Sequence, residues 1–319
     1  MKAVLAVAIL LGAGLAVAGA PQEAAKPLGK AQIMDLLRGE VSTKRVTTLV
    51  EQRGINFEPT EEDFKSLQDA GADGDLIGAL RGAKKILPPE VMLARHRARG
   101  QELESKKSYP EAEQAYRAAL ALAPQDASLY HSLGNVLGQQ KKWREAVVAQ
   151  REAVRLNGTD AEARYQLGAA LRATGDLNGA ITQWTDALRL KPDDPRPYED
   201  LGMVFTERRD WNRAVSAFQG ATRRRPDAVQ NYISLGFALQ NKGDLNGAIG
   251  SFREAVSRAP GSAIAHNNLG FALEQKGETK AAMEQYQMAS QLDSQDPAIR
   301  TNLERLIRKA QRPTLGSKK

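Results

Sequence analysis

Apolar and small residues recur in phase along most of this chain. Leu-Gly pairs stand at Leu133-Gly134, Leu167-Gly168, Leu201-Gly202, Leu235-Gly236 and Leu269-Gly270, each glycine 34 residues after the last, and one step back reaches Gly100. Twelve residues after each glycine comes an alanine: Ala112, Ala146, Ala180, Ala214, Ala248 and Ala282. Four further on stands Tyr116, Gln150, Trp184, Phe218, Phe252 or Tyr286, and three beyond that a second alanine, from Ala119 to Ala289. Pro124, Gly158, Pro192, Pro226, Pro260 and Ser294 close each period. A fixed step of this length marks one supersecondary unit used repeatedly.

Each period predicts two helices and a short turn. Glycine on the first helix and alanine on the second let the backbones approach. The large residue fills the space towards the next period, and the closing proline stops the second helix because it cannot continue one. Gly175-Asp176 and Gly243-Asp244 mark the turn inside the pair. Tyr109, Trp143, Leu177, Trp211 and Leu245 follow in one register and pin that turn.

The 34-residue step with its glycine, alanine, aromatic, alanine and proline resembles the tetratricopeptide repeat over 93–296. The resemblance implies an all-α fold, a right-handed α-solenoid of six helix pairs over 93–126, 127–160, 161–194, 195–228, 229–262 and 263–296. Gln150, Gly158 and Ser294 depart from the pattern without breaking its register. Residues 297–311 predict a capping helix begun by Pro297, with Ile299, Leu303, Leu306 and Ile307 on one face. Its outer face carries Arg300, Arg305, Arg308 and Lys309, and a disordered tail is expected over 312–319.

Residues 28–87 fall outside the period and predict a small helical module. Ile33, Leu36 and Leu37 form a helix ended by Gly39. Ser42 is expected to cap a second, bearing Val46, Leu49 and Val50 and stopped by Gly54. Ile55-Asn56-Phe57 reads as extended. Thr60 with Asp63 forms a capping box for a third helix carrying Phe64 and Leu67, ended by Gly71. Asp73 caps a fourth with Leu76, Ile77 and Leu80. Pro88-Pro89 marks the join, and 88–92 are a linker or the start of the first repeat helix.

Lys2 is the only charged residue of 1–20 and precedes the apolar run Ala3–Ala20, the layout of a secretory signal peptide. Ala16-Val17-Ala18 and Ala18-Gly19-Ala20 both fit a cleavage pattern, and Pro21 favours cleavage after Ala18; 21–27 form a linker. The expected location is periplasmic or secreted. The alternative is a membrane anchor made by residues 3–20, a run about long enough to span a bilayer. Export argues against nucleic acid as a partner, although the module's last three helices outline a helix-turn-helix.

Composition narrows the chemistry. With no cysteine in the chain, disulfides, thiolate metal sites and cysteine nucleophiles are excluded. Aromatics at 5% and abundant alanine suit closely packed helices. The net charge of +7 comes from interleaved acids and bases, a mixed solvated surface with at most a weak pull on anionic partners or headgroups. His96 and His266 share one register five repeats apart, so they cannot share a metal. Arg223-Arg224-Arg225 suits the end of a helix dipole. Asn157-Gly158-Thr159 is a glycosylation sequon that matters only in a eukaryotic secretory host. No nucleotide-binding, metalloprotease or nucleophile-elbow motif is present. Neither catalysis, a metal nor a cofactor is expected.

The resemblance implies that first helices line a ligand groove, with facing positions one after and two, three and six before each glycine. Those rows give an apolar stripe of Met203, Ile233, Phe237 and Phe271, extended by Tyr165, with Asn268 the one asparagine in its row that fits an asparagine ladder. The competing reading packs these side chains between neighbouring helices. Arg97 alone fits a carboxylate clamp; Gln101, Ser132, Glu162 and Gln166 do not complete it, and Glu199 and Asp200 put acid in its place. The expected function is an exported scaffold that binds protein or peptide partners. A non-catalytic binding subunit serving a cell-envelope enzyme on another chain is the alternative. Membrane association is expected only if the N-terminal segment is retained.

Overall fold

The computed structural model describes residues 26–311, so the expected signal peptide, the alternative anchor at 3–20 and the expected tail at 312–319 lie outside the described residues. Between Pro124 and Gln125 the chain divides into two compact units. Among the described residues there are seventeen α-helices, and β-pairing is limited to isolated bridges.

The N-terminal unit holds α1 (Lys30–Arg38), α2 (Thr43–Arg53), α3 (Glu61–Asp69) and α4 (Gly74–Gly82), then the pair α5 (Pro89–Ser105) and α6 (Tyr109–Leu122). Of the apolar positions read from the sequence, Ile33, Leu36, Leu37, Val46, Val50, Phe64, Leu67, Leu76, Ile77 and Leu80 are all buried; Leu28 and Ile55 join them in the core, and Leu49 only borders it. Thr60 and Asp63 close a reciprocal capping box, and Asp73 accepts from the Leu76 amide at 2.9 Å. Ser42 caps differently from expectation: only its carbonyl serves α2, while Thr43 donates its hydroxyl to Asp73.

The extended stretch at Ile55 has partners the sequence did not reveal. Ile55 bridges Leu28 on one side and Lys85 on the other, both in parallel. Gly54 makes this possible. Its φ is +72°, and a Cβ there would stand 2.4 Å from the Lys84 carbonyl oxygen, so only glycine lets the backbone pass. Arg95 of α5 reaches back to Glu58 at 2.6 Å.

The C-terminal unit stacks five helix pairs and a last helix. The pairs are α7 (Ala127–Gln139) with α8 (Trp143–Leu156), α9 (Ala161–Ala173) with α10 (Leu177–Leu190), α11 (Pro195–Glu207) with α12 (Trp211–Arg224), α13 (Val229–Lys242) with α14 (Leu245–Arg258), and α15 (Ala263–Lys276) with α16 (Thr279–Leu292). Each second helix also packs on the next first helix, and α16 packs on α17 (Pro297–Gln311), which buries Ile299 and Leu306.

The glycine step has one cause. A Cβ added at Gly168 would meet Trp184 at 2.4 Å, at Gly202 Phe218 at 2.5 Å, and at Gly236 Phe252 at 2.5 Å. The sequence pattern points the large side chain towards the next repeat; the structure seats it first on the glycine of its own pair. Gly100 with Tyr116, Gly134 with Gln150 and Gly270 with Tyr286 repeat the contact. Gln150 is buried without being stranded. Its amide donates to the His131 carbonyl at 3.2 Å and to Asn135 at 2.9 Å, and its oxygen meets His131 Nδ1 at 3.1 Å. A buried amide is tolerated when its bonds are made.

Aspartate sets the helix starts. Asp126, Asp160 and Asp194 cap first helices, and Asp176, Asp210 and Asp244 cap second helices, each accepting from backbone amides one turn in.

Candidate functional site

In the C-terminal unit, residues at the register of the glycine and one turn before it share a face of each first helix. Along that face α11 and α13 leave a cavity of about 380 Å³, lined by Met203, Thr206, Ile233, Ser234, Phe237 and Asn268 among others. Four of the six residues singled out in the sequence therefore come together. Met203 stays 40% exposed and Phe237 48%, while Ile233 and Asn268 are half-buried. Phe237 is braced edge-on by Trp211, with ring centroids 6.1 Å apart. Met203 and Phe237 thus present apolar surface to solvent, while Ile233 is partly packed.

Tyr165 and Phe271 stand outside the cavity lining, each for a definable reason. The Arg196 guanidinium lies 4.5 Å from the Tyr165 ring centroid. Burial, then the neighbouring Asp200 carboxylate to which its hydroxyl is bonded, push the Tyr165 pKa up. Burial also raises Asp200. Arg172 reaches Asp200 at 3.7 Å and Glu207 at 2.5 Å. Tyr165 is thus held in a polar network that also contributes Arg172 and Glu207 to the cavity lining. At the other end, Arg305 of α17 lies 5.9 Å from the Phe271 centroid and donates to Glu274 at 2.8 Å. Asn302 donates to Asn267 at 3.0 Å. The last helix has taken up that part of the face.

Some lining residues were not singled out in the sequence. Arg172 and Glu207 sit four and five residues after their glycines, a row no motif marked. Gln230 occupies the register six before its glycine, and one repeat on the same register holds Ile264, 60% exposed. That row holds Glu162 and Arg196 in the two preceding repeats, so its residue types carry no continuous apolar signal. The wall beyond the apolar floor is mostly uncharged, with Thr206, Gln230, Ser234 and Asn268 offering hydroxyl and amide groups.

The remaining candidates for chemistry are structural. His266 is buried, with Nδ1 2.8 Å from the Gln285 oxygen and Nε2 3.0 Å from the Pro260 carbonyl. Arg224 stacks on Tyr198 at 4.3 Å, and Arg258 on Tyr232 at 4.3 Å. Each also donates to a proline carbonyl of the preceding turn, Pro192 and Pro226 respectively. Among the described residues no three His, Cys, Asp or Glu side chains gather as a metal site, and no helix is long and apolar enough to cross a membrane.

Tetratricopeptide repeat models match residues 100–141 and 168–207, 127–157, and 233–297, together just over half of the chain. The chain belongs to the tetratricopeptide repeat family. Among solved structures of this repeat fold, YrrB, described as a TPR protein with an unusual peptide-binding site, is 21% identical with a TM-score of 0.55, over 60% of this chain and 99% of that one. The MamA protein is 24% identical with a TM-score of 0.51, over 52% of this chain and 91% of that one. The C-terminal part of a TPR repeat-containing protein from Cytophaga hutchinsonii is 18% identical with a TM-score of 0.56, over 61% of this chain and 78% of that one. At these identities the likeness is one of fold. A comparison with curated proteins finds no match.

Proposed function

We propose that this repeat protein is an exported, non-catalytic scaffold that holds a peptide segment of a partner protein on the first-helix face of its C-terminal unit. The observation that carries the reading is the open apolar cavity of Met203, Ile233 and Phe237, with Asn268 beside it. Exposed apolar patches of this kind mark interaction sites. A peptide with spaced apolar anchors fits such a groove, and uncharged amides at the wall suit main-chain hydrogen bonding. YrrB, a fold relative, is described by a peptide-binding site, which is in keeping with this class of ligand. Export rests on Lys2 and the apolar run Ala3–Ala20; N-terminal sequencing of the mature protein, expected to begin after Ala18, checks it.

The test of the groove is a displayed peptide library selected on the purified protein, followed by titration calorimetry of the enriched peptide. Met203→Ser and Ile233→Ser are expected to weaken that peptide at least about tenfold, since each removes a buried apolar contact. Enriched peptides that bind both variants as they bind the wild type would remove the groove from consideration.

A further inference from the structure

The outward row of α8 is unlike the same row in the other second helices of its unit. Arg144, Val148, Arg151 and Arg155 follow at four-, three- and four-residue intervals, so they share one helix face. All four are exposed, Val148 at 65%. In α10 that register holds Asn178, Thr182, Thr185 and Arg189, and none of α12, α14 and α16 places more than one cation there. Lys141 and Lys142 precede the helix. From Lys141 to Leu156 the chain carries five cations against the two carboxylates Glu145 and Glu152.

This row borders a recess. A cavity of about 410 Å³ has Arg151 and Arg155 on one wall, Thr182 on the other, and Leu167 and Leu171 within it. Arg164 is held in the wall by the Gly158 carbonyl at 3.0 Å and by Gln183 and Asp186 at 3.4 and 3.5 Å. Asp176 also lines the recess, but its carboxylate is engaged by the Gly179 amide at 2.8 Å. Towards the start of α8 a second cavity of about 450 Å³ is lined by Lys141, Lys142, Trp143 and Arg144, with Glu145 as its one acid.

We infer that the recess beside α8 docks an acidic, amphipathic segment of a partner protein. Carboxylates would pair with Arg144 and Arg151, and with the edge of the Arg155 guanidinium left over from its Nε bond to Glu152, since guanidinium matches carboxylate in a two-bond fork. An apolar side chain between them would cover Val148 or enter towards Leu167 and Leu171. A recess favours a chain with protruding side chains over the flat face of an anionic bilayer, which meets the arginines but not the leucines behind them. The surface is independent of the first-helix groove.

Fluorescence anisotropy with a labelled peptide of repeating Glu-Glu-Leu, compared with Gln-Gln-Leu, tests the assignment on the whole protein. The acidic peptide is expected to bind at least about tenfold tighter, and raised salt to weaken it. The double variant Arg151→Glu, Arg155→Glu should lose at least about tenfold in affinity. Thr182→Glu, which keeps every arginine and places a carboxylate in the opposite wall, should weaken binding too; it decides the matter if the double variant fails to fold. Arg253→Glu, at the register of Arg151 in α14, should bind like the wild type. Equal binding of the two peptides, or equal loss in Arg253→Glu, overturns the proposal. So does binding to phosphatidylglycerol vesicles, lost in the double variant, in the absence of binding to the acidic peptide.

Discussion

Arg196 and Glu162 stand at the same register of successive repeats and meet, with Arg196 Nη2 2.5 Å from Glu162 Oε2. The same guanidinium lies 2.6 Å from Asp194, which also caps α11 through the Arg196 amide at 3.0 Å. The Arg196 side chain holds Asp194 below the usual carboxylate range. Burial raises Glu162, but its bonds from Arg196 and Gln166 outweigh that and leave it lowered. A carboxylate depressed in the folded state adds stability above its unfolded pKa and loses it as pH falls through the folded value. Asp194→Asn keeps the cap acceptor and removes the charge. It should lower stability by about 1–2 kcal/mol at pH 7, with the gap to the wild type narrowing below about pH 4. Asp200 has the opposite sign, because burial raises it. Asp200→Asn is expected to stabilise at pH 7, a gain that fades in acid. Urea unfolding at pH 7 and pH 3 reads both, and a pH-independent gap for Asp194→Asn would contradict the argument.

Two glycines in neighbouring helices should respond oppositely to one methyl group. A Cβ at Gly236 falls 2.5 Å from the Phe252 ring, whereas at Gly250 it meets nothing within 4 Å. Gly236→Ala forces the pair apart and should destabilise by about 1–3 kcal/mol. Gly250→Ala sits in open helix and should stabilise by about 0.5–1 kcal/mol. Urea midpoints of the two variants separate packing from helix propensity; equal shifts would mean the glycine step has some other cause.

The turn inside each pair carries a left-handed residue at one register. Gly175, Gly243 and Gly277 occupy it with φ near +90°, while Lys107, Lys141 and Arg209 occupy it with φ of 59°, 60° and 57°. A side chain is strained there. Arg209→Gly is accordingly expected to raise the melting temperature, by about 0.5–1 kcal/mol of added stability, and Gly243→Ala to lower it by a similar amount. Loss of stability in Arg209→Gly would show that the arginine's side chain contributes more than its backbone strain removes.

The repeat was legible in the sequence because each of its positions answers to one short-range contact: Gly236 under Phe252, Asp194 on the first turn of α11. The module's core was legible for the same reason, through caps and helical spacing. The bridges from Ile55 to Leu28 and Lys85 were not, since three short extended stretches far apart in the chain leave no periodic signal. Of the candidate groove, the row was visible in the sequence and its ends were not: Met203, Ile233, Phe237 and Asn268 line one cavity, while Tyr165 and Phe271 do not. Whether a facing residue stays open depends on what a neighbouring repeat sends across, as Arg196 does over Tyr165 and Arg305 over Phe271. Such pairings lie 31 to 34 residues apart in the chain, and residue type alone does not announce them. Nor does it announce that Gln150, where other repeats hold an aromatic, has its partners in His131 and Asn135.

Phe237 and Phe271 share a register one repeat apart, yet they should part company on substitution. Phe237 keeps 48% of its surface in solvent and touches the Trp211 edge. Phe271 is half-buried, with the α17 residue Arg305 stacked above it. Serine at 237 removes apolar area that was largely wet already, so stability should fall by no more than about 1 kcal/mol. Serine at 271 uncovers Arg305 and loosens the contact that seats the last helix, at a cost of about 1–2 kcal/mol. Binding should order the two the other way. A peptide selected on the wild-type protein loses its central anchor in Phe237→Ser and should weaken at least about tenfold, whereas in Phe271→Ser it should weaken by about threefold or less. Thermal unfolding and calorimetry on the same two proteins measure both effects. A Phe237→Ser protein that unfolds as early as Phe271→Ser and binds the peptide undiminished would show that the exposed ring serves packing, and that the ligand lies elsewhere.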